Sequence, residues 1–303
     1  MSIHSLPLRL LCDTAMQAAQ DAGEYIESVD RSALEQHFKE SGSSAASQVV
    51  TDVDLHSEQI IRAALQPLSD LWDIAFVGEE SSVAGGDASA QGETMPQRIL
   101  KPYFWCVDPL DGTLPFVEGR PGYAVSIALV ERSGNPLLGV VYDPVDGALM
   151  HAIKGQGAFN GGATLKQNAE TSKVLTVFAD RSFETHERYG QARDTLQACA
   201  QILGLKGASF QYGSGAVKNA FQVLGYGAAC YVKLPKVEEG GGSIWDFAAT
   251  ACIVDEAGGS VSNIFGEPLA LNRKESTFMN DQGVIYASSK RIANYLCKAF
   301  SNA

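Results

Sequence analysis

The beginning of the chain carries apolar residues at helical spacing. This spacing predicts an amphipathic helix and not a signal peptide. Its apolar face holds Leu11, Ala15, Ala18, Ala19, Ala22 and Ile26. A second helix is predicted over residues 54–68, and the apolar run 73–77 predicts a buried strand. The segment 41–47 is predicted as a loop, and residues 81–98 hold so few apolar side chains that we expect a mobile excursion.

Residues 103–153 carry the apolar runs that are typical of strands. The runs are "YFWCV", "YAVSIALVE", "LLGVVYD" and "LMHAI". Turn signals, "RSGNP" and "DPVDG", separate the last three runs. Because short turns join antiparallel neighbours, we predict an antiparallel sheet in this part of the chain.

Beyond residue 172 the predicted strands alternate with predicted helices. Strands are expected over residues 174–179, 228–234 and 283–288, and helices after Glu184, from near Ser214, over residues 245–256 and at the end of the chain. This alternation is typical of α/β folds. We therefore divide the chain into an α+β half, residues 1–172, and an α/β half, residues 173–303.

The composition is that of a folded globular protein. Of 303 residues, 45% are hydrophobic and 19% are charged, which allows a sizeable core. The formal charge of -12 and the lack of a Lys or Arg run argue against a nucleic-acid partner. Six scattered cysteines without a CxxC pair indicate a reducing compartment. No run approaches the roughly 20 apolar residues of a membrane span, so we expect a cytoplasmic protein without a membrane partner.

The stretch "WCVDPLDGTLPF" runs a hydrophobic strand directly into two acids, Asp108 and Asp111. Pro109 ends the strand ladder and Gly112 permits a tight turn, which places both acids at the carboxyl end of the strand. Two structural interpretations stay open: Asp108 as a turn residue of the Asx type, and Asp111 as a helix N-cap.

A second copy of the motif tests those interpretations. "YDPVDG" lies between two predicted strands and lacks the Thr that follows the first copy. We assign Asp143 and Asp146 to a hairpin turn. The first copy differs because other acids in the sequence also lie at the end of a strand or the start of a helix.

Those further acids occupy comparable places. Glu79 and Glu80 end a strand, Asp54 opens a helix and Asp246 begins a long apolar helix. Carboxylate oxygens are the ligands that Mg²⁺ prefers, and the dispersed histidines argue against zinc. Serine-hydrolase, P-loop and dinucleotide-binding motifs are absent from the sequence, so the acids form the visible catalytic constellation.

Two or three Mg²⁺ ions held by these acids would suit phosphoryl transfer. Such ions lower the pKa of a bound water and stabilise the attacking and leaving oxygens. The backbone N–H groups of Gly112 and Thr113 would receive phosphate oxygens if they open a helix.

At these residues the chain resembles the inositol monophosphatase superfamily of Mg²⁺-dependent, typically lithium-sensitive phosphatases. The resemblance rests on "WCVDPLDGTLPF" and "WDFAATACIVDEAGG", with "VVTDVD", "VGEESS", "GQGAFNGG" and "GSGAVKNAF" in the expected order. It implies layered α and β structure, an α-β-α-β-α sandwich. It also implies a small phosphorylated metabolite as substrate and, in the inositol branch, a homodimer.

The resemblance implies roles for individual residues. Its metal ligands are Glu79, Asp108, Asp111 and Asp246 with the Leu110 carbonyl. The nucleophilic water is positioned by Glu79 with Thr113, or by Glu80, and Asp54 supports the most loosely held metal. The implied substrate contacts are Asp111, Gly112, Thr113, Gly213, Ser214, Gly215, Lys218 and Asp246.

The substrate stays open between branches of the superfamily. The long segment 231–246 resembles the 3'(2'),5'-bisphosphate nucleotidases, which favours adenosine 3',5'-bisphosphate over inositol monophosphate. Lys218 is either a contact to a second phosphate or a solvated helix charge, and Glu238 and Glu239 either bind hydroxyls or form an exposed acidic turn. A sugar-bisphosphatase would need a basic pocket, for which the candidates are Arg120, Lys218, Lys233 and Lys236. A non-catalytic protein that binds a phosphorylated metabolite is the rival from another class.

Overall fold

The computed structural model describes residues 6–31, 37–38, 49–50, 52–83, 95–168, 172–240 and 242–301. The predicted loop at 41–47 and residues 84–94 of the predicted excursion lie outside these ranges. Residues 81–83 and 97–98 of the predicted excursion are instead helical.

The helices agree with the apolar periodicity of the sequence. They are α1 (Leu8–Ser28), α2 (Asp52–Trp72), α3 (Glu79–Val83), α4 (Gln97–Leu100), α5 (Thr113–Val117), α6 (Tyr189–Ile202), α7 (Ala216–Gln222), α8 (Ile244–Glu256) and α9 (Lys290–Ser301). Short 3-10 turns cover Arg181–Thr185 and Val223–Gly225. Helix α2 extends beyond the predicted 54–68 at both ends and continues through Pro67.

A seven-stranded sheet occupies the first half of the chain. Its strands lie side by side in chain order: β3 (Ile74–Gly78), β4 (Tyr103–Asp111), β5 (Ala124–Glu131), β6 (Pro136–Asp143), β7 (Ala148–Ile153), β8 (Ala158–Asn160) and β9 (Ala163–Leu165). Strand β3 pairs with β4 in parallel, and every later pair is antiparallel. The predicted antiparallel sheet is therefore present, extended by one parallel strand. Two short strands before it, β1 (His37–Phe38) and β2 (Val49–Val50), form an antiparallel pair.

A five-stranded mixed sheet occupies the second half. In spatial order its strands are β11 (Ala208–Tyr212), β10 (Leu175–Ala179), β12 (Ala229–Lys233), β14 (Val284–Ala287) and β13 (Ser260–Ser262). Strand β10 runs parallel to both of its neighbours, so the carboxyl ends of β10 and β12 meet at one edge. Ligands of open α/β sheets bind at such edges.

Within the described ranges, three buried apolar clusters fill the four interfaces between five layers, because one cluster spans both faces of the central helix layer. One lies between α1, α2 and the first sheet, and another between that sheet, α7, α8 and the second sheet. The third lies between the second sheet and α6 and α9. Each fully buried Leu or Ile contributes about 1.5–3 kcal/mol. The predicted α-β-α-β-α sandwich is confirmed.

The boundary proposed at residue 172 falls between the last strand of the first sheet and the first strand of the second. Helix α8 nevertheless packs against both sheets. Among the described residues, no helix combines the length and the apolar character needed to cross a membrane.

Candidate active site

Strand β4 delivers Asp108 and Asp111 to its carboxyl end, as the sequence predicts. The pairing of β4 with β5 changes register between these two residues, because Pro109 cannot donate to the ladder. The Leu110 N–H donates to Asp108 Oδ1 at 3.1 Å, which is the Asx turn that the sequence left open. Both acids are buried. The N-cap alternative for Asp111 is wrong, since Gly112 occupies that position of α5.

Asp246 reaches the same place from the first turn of α8. Its Oδ2 accepts the Ser243 N–H at 2.6 Å, which fixes the carboxylate at the start of the helix. One oxygen of Asp108, one of Asp111 and one of Asp246 lie within 4.8 Å of one another. Asp108, Asp111 and Asp246 thus form one group, called the acidic cluster, although Asp108 and Asp246 are 138 positions apart along the chain.

The acidic cluster is electrostatically unfavourable without a cation. Burial and repulsion from Asp246 raise the pKa of Asp111 well above its ordinary value, despite two backbone N–H donors. Burial raises the pKa of Asp246 to about 6; Lys233 opposes this rise and Glu79 adds to it. Glu79 is therefore close enough to act on both carboxylates. Oxygen-only donors crowded in this way fit a hard divalent cation.

Asp111 is held by the first residues of α7. Its Oδ1 accepts the Ala216 N–H and its Oδ2 accepts the Val217 N–H, each at 2.9 Å. A Cβ added to Gly215 would lie 2.2 Å from Asp111 Oδ2. The predicted substrate loop of Gly213, Ser214 and Gly215 therefore adjoins the cluster, and Gly215 makes room for a ligand residue.

Gly112 and Thr113 follow the acids at the start of α5. Gly112 has a φ of 85° and lies so close to the Gly122 carbonyl that a side chain would clash. The Thr113 hydroxyl donates to Asp54 Oδ1 at 2.8 Å and lies 3.2 Å from the Leu110 carbonyl. Asp54 is buried, so the structure brings it into contact with the predicted water-positioning residue.

Glu79 and Glu80 open α3 at the end of β3. They are held in place by Glu58, a residue that the sequence analysis did not single out. The buried Glu58 carboxylate accepts the Glu80 N–H at 2.9 Å and the Ser81 N–H at 3.2 Å. A Cβ on Gly78 would lie 2.2 Å from Glu58 Oε2. Glu58 stands one helical turn after Asp54 on α2, a spacing that could have revealed it.

Lys218 does not have the surroundings that we expected. It is buried, and its Nζ lies 2.5 Å from Asp143 Oδ2 and 3.4 Å from Asp146 Oδ2. The solvated helix charge is therefore wrong, because α7 points this ammonium into the interior. Its anionic partners are side chains of the turn between β6 and β7, where the sequence placed Asp143 and Asp146 correctly.

Asp180 is a second residue that the sequence analysis missed. It follows the carboxyl end of β10, the same signal that singled out Asp108. Its Oδ2 pairs with Lys233 Nζ at 2.6 Å, and its Oδ1 accepts from the Tyr231 hydroxyl at 2.9 Å. Burial lowers the pKa of the Lys233 ammonium, but Asp180 and Asp246 outweigh it and raise that pKa overall.

A cavity of about 380 Å³ opens beside this ion pair at the carboxyl ends of β10 and β12. Apolar side chains on its wall are Phe183, Val232, Leu234, Val237 and Met279, and polar ones include Asp180, Ser182, His186, Lys233, Lys236, Glu238 and Asn280. Burial and the neighbouring Lys233 lower the pKa of Lys236, so the two ammonium groups lie near each other.

The remaining candidates lie around these features. Glu238 and Glu239 are exposed, as an acidic turn would be. Arg120 pairs with Glu118, which also binds Arg181 at 2.6 Å. The candidates for a basic pocket are therefore divided: Lys233 and Lys236 share the cavity, while Arg120 and Lys218 bind acids elsewhere.

Comparison with known proteins places this geometry in a family. The chain matches the model of the inositol monophosphatase family over residues 8–303. It is 29% identical over 296 residues to inositol monophosphatase 1 of Sus scrofa, covering 96% of this chain and 94% of that protein. It is 31% identical over 264 residues to the Nus factor SuhB of Pseudomonas aeruginosa, covering 84% and 86%.

Solved structures agree on the fold. An inositol monophosphatase from Anabaena superposes with a TM-score of 0.67 at 23% identity, covering 98% of this chain and 97% of that chain. A structure described as 2'AMP bound SaIMPase-II superposes with a TM-score of 0.66 at 22% identity, covering 97% and 96%. The resemblance drawn from the sequence is confirmed.

Proposed function

Because this chain belongs to the inositol monophosphatase family and is a phosphoric monoester hydrolase, we propose that it uses Mg²⁺ to hydrolyse a small phosphorylated metabolite by direct attack of water. The observation that carries this proposal is the acidic cluster, whose three carboxylate oxygens lie within 4.8 Å. Buried carboxylates with raised pKa values need a cation beside them to stay ionised together.

The residues that would hold two or three Mg²⁺ ions are Asp108, Asp111, Asp246 and Glu79, with the Leu110 carbonyl. When bound, the ions would supply Lewis acidity to the phosphate and make a bound water a stronger nucleophile. The donor set consists of oxygens alone, which suits Mg²⁺ and not zinc.

The chain's own side chains would orient the water. The Thr113 hydroxyl donates its one hydrogen to a neighbouring acceptor, with Asp54 the nearer at 2.8 Å, so its oxygen lone pairs are left to accept a hydrogen bond from water. Glu79 would accept the other water proton as a general base. The N–H groups of Gly112 and Thr113 would meet the phosphate oxygens.

We propose adenosine 3',5'-bisphosphate as the first substrate. The cavity beside Asp180 has the size of small-ligand sites, and its apolar wall suits a flat base. Lys233 and Lys236 on the same wall suit a second phosphate. A polyol with a hydroxyl on every carbon would gain little binding energy from contact with this apolar wall.

Inositol monophosphate is the second candidate, favoured by the names of the relatives, such as inositol monophosphatase 1 of Sus scrofa. The protein named SaIMPase-II has been solved with inositol monophosphate and with 2'AMP. A test of this chain must therefore include both substrate classes.

The test is phosphate release with Mg²⁺ from adenosine 3',5'-bisphosphate, inositol 1-phosphate, fructose 1,6-bisphosphate and AMP, each with and without lithium. We expect the first to be hydrolysed fastest. Asp108→Asn and Asp246→Asn should each lower kcat more than about 100-fold, because each removes ligand charge with little change of volume.

Asp70→Asn is the matched control, since Asp70 is an exposed acid on α2, and it should leave kcat unchanged. Preference for inositol 1-phosphate would overturn the substrate assignment. If Asp246→Asn retains most of its activity under saturating Mg²⁺, the metal assignment is wrong, and no release from any compound would favour a binding protein.

A further inference from the structure

We propose that Lys218 is a positioning residue for the metal ligand Asp111, acting through α7 and anchored by the second Asp-Pro-x-Asp-Gly turn. This inference rests on the metal site of the proposed function. In this arrangement the Lys218 ammonium is the cation bound by the turn of Asp143 and Asp146. The first copy of the motif would bind a metal ion instead.

The two copies of the motif fold alike at their first acid. Asp108 Oδ1 accepts the Leu110 N–H at 3.1 Å, and Asp143 Oδ1 accepts the Val145 N–H at 3.1 Å. Both acids therefore make the same Asx turn and direct their second oxygen elsewhere. For Asp143 that second oxygen lies 2.5 Å from Lys218 Nζ.

Strand register places the two motifs side by side. Asp111 on β4 pairs with Ala124 on β5. On the other side of β5, Val125 pairs with Tyr142 on β6. Ala124 and Asp143 are the next residues of β5 and β6 beyond this last pair. Asp111 and Asp143 therefore lie at the same end of the sheet, on the two strands that flank β5.

Helix α7 crosses this row and binds both acids. The N–H groups of Ala216 and Val217 donate to Asp111, and the next residue, Lys218, donates to Asp143. Three consecutive residues thus contact two neighbouring motifs. Burial of Val217 and Ala220 in the core also holds this seven-residue helix, and the three polar contacts fix its N-terminal turn against both motifs.

The burial of the ion pair explains why it restricts geometry. The side chain of Lys218 is 8% exposed and that of Asp143 is 2% exposed. A buried ion pair gives modest net stability, but it requires close approach and good alignment because an unmatched buried charge is costly. If α7 turned or withdrew, Lys218 would lose its partner at the same moment as Asp111 lost its two N–H donors.

This coupling predicts an effect on metal binding. Without its two N–H donors, the Asp111 carboxylate oxygens are no longer fixed toward Asp108 and Asp246. Groups that orient metal ligands in this way typically change metal affinity 10–100-fold. A group that only stabilises the fold leaves metal affinity unchanged.

The experiment is calorimetric titration of the metal-free protein with Mg²⁺ alone, together with thermal unfolding. Lys218→Met and Asp143→Asn should each raise the Kd for Mg²⁺ about 10-fold. Asp146→Asn should change it less than about 2-fold, because Asp146 is 66% exposed and lies 3.4 Å from Nζ. If Lys218→Met does not fold, Asp143→Asn carries the test, since asparagine keeps the acceptor of the Asx turn.

Glu256→Gln is the matched control. Glu256 also binds a loop, through the N–H groups of Gly155 and Gly157 at 2.7 and 2.8 Å, but lies at the opposite end of α8 from Asp246. It should lower Tm without changing the Kd for Mg²⁺.

A Kd that is the same in Asp143→Asn as in the unmutated chain would overturn this inference and leave the proposed function standing. Failure of the unmutated chain to bind Mg²⁺ would overturn both.

Discussion

At the scale of single residues, glycines decide what the candidate site can hold. The resemblance implied that Gly215 and Gly112 contact substrate, and the structure adds a steric reason for their lack of a side chain. Gly215 leaves the space that the Asp111 carboxylate occupies, and Gly112 turns the chain with a positive φ next to the Gly122 carbonyl.

The steric role of Gly215 can be tested directly. Gly215→Ala would put a Cβ 2.2 Å from Asp111 Oδ2, so the carboxylate or α7 must move. We expect the Kd for Mg²⁺ to rise at least about 10-fold, measured by calorimetry. Gly190→Ala is the control, because an added Cβ there meets nothing within 4 Å and Ala suits a helix better. Equal Mg²⁺ binding by both variants would contradict this role.

Single residues also show what the sequence could not reveal. Asp108, Asp111 and Asp246 were predictable because each acid interrupts an apolar run at the end of an element. For Glu58 the only signal was its spacing of one helical turn from Asp54, because its contact, Glu80, lies 22 positions further along the chain. The burial of Lys218 was not predicted, because it depends on which strands pack against its helix.

At the scale of elements, the start of α2 departs from simple amphipathicity. Leu55, an apolar residue in its first turn, is 44% exposed. Beside Val53, the residues buried in its first two turns are polar: Asp54, Ser57 and Glu58. The inward face of this helix is therefore mostly polar where it adjoins the site and becomes mostly apolar further along.

Glu58 should matter through the element that it holds. Its carboxylate accepts two N–H groups from the first turn of α3, which carries Glu79. Glu58→Gln replaces one acceptor oxygen by a donor, so we expect a loss of about 1–3 kcal/mol in the free energy of unfolding. Activity at limiting Mg²⁺ should fall as well.

Denaturant unfolding and the Mg²⁺ dependence of phosphate release measure these two effects. Glu24→Gln, an exposed glutamate on α1, should change neither. A Glu58→Gln variant as stable and as active as the unmutated chain would show that α3 does not need this carboxylate.

Helices and strands differ in how well the sequence pattern predicts them. The long strands β4 to β7 and helices α1, α2 and α8 follow from apolar runs and turns. Strands β8, β9, β11 and β13 were missed, since each has only three to five residues and none contains a long apolar run. The motif "GQGAFNGG", part of the family resemblance, proved structural in one respect: Gly155 and Gly157 donate to Glu256.

At the scale of the whole molecule, the site collects groups from three layers. The first sheet supplies Asp108 and Asp111, the central helix layer supplies Asp246, and the second sheet supplies Lys233 with Asp180 at its edge. The charge that accumulates there makes the stability of the metal-free fold depend on pH.

The direction of that dependence follows from the raised pKa values. The folded state binds protons more tightly than the unfolded chain at Asp246, whose pKa is raised to about 6, and at Asp111. Their contribution to stability therefore falls as pH rises from about 4 toward 6 and beyond. Mg²⁺ needs ionised carboxylates, so the rise in Tm that it produces should be larger at about pH 7.5 than at about pH 5.

Thermal unfolding with and without Mg²⁺ at the two pH values measures this difference. Asp246→Asn should raise the Tm of the metal-free protein at about pH 7.5, because it removes one of the crowded charges. A Tm increment that is independent of pH would contradict the assignment of the cluster as the Mg²⁺ site.

Helix α8 has one more consequence. It carries Asp246 in its first turn, ends with Glu256, which binds the Gly155 loop, and packs its apolar sides on both large sheets. Neither sheet can lose this helix without exposing a broad apolar face to water. We therefore expect the two large sheets to unfold as one cooperative unit, and a chain cut at residue 172 to give two fragments that aggregate rather than two working modules.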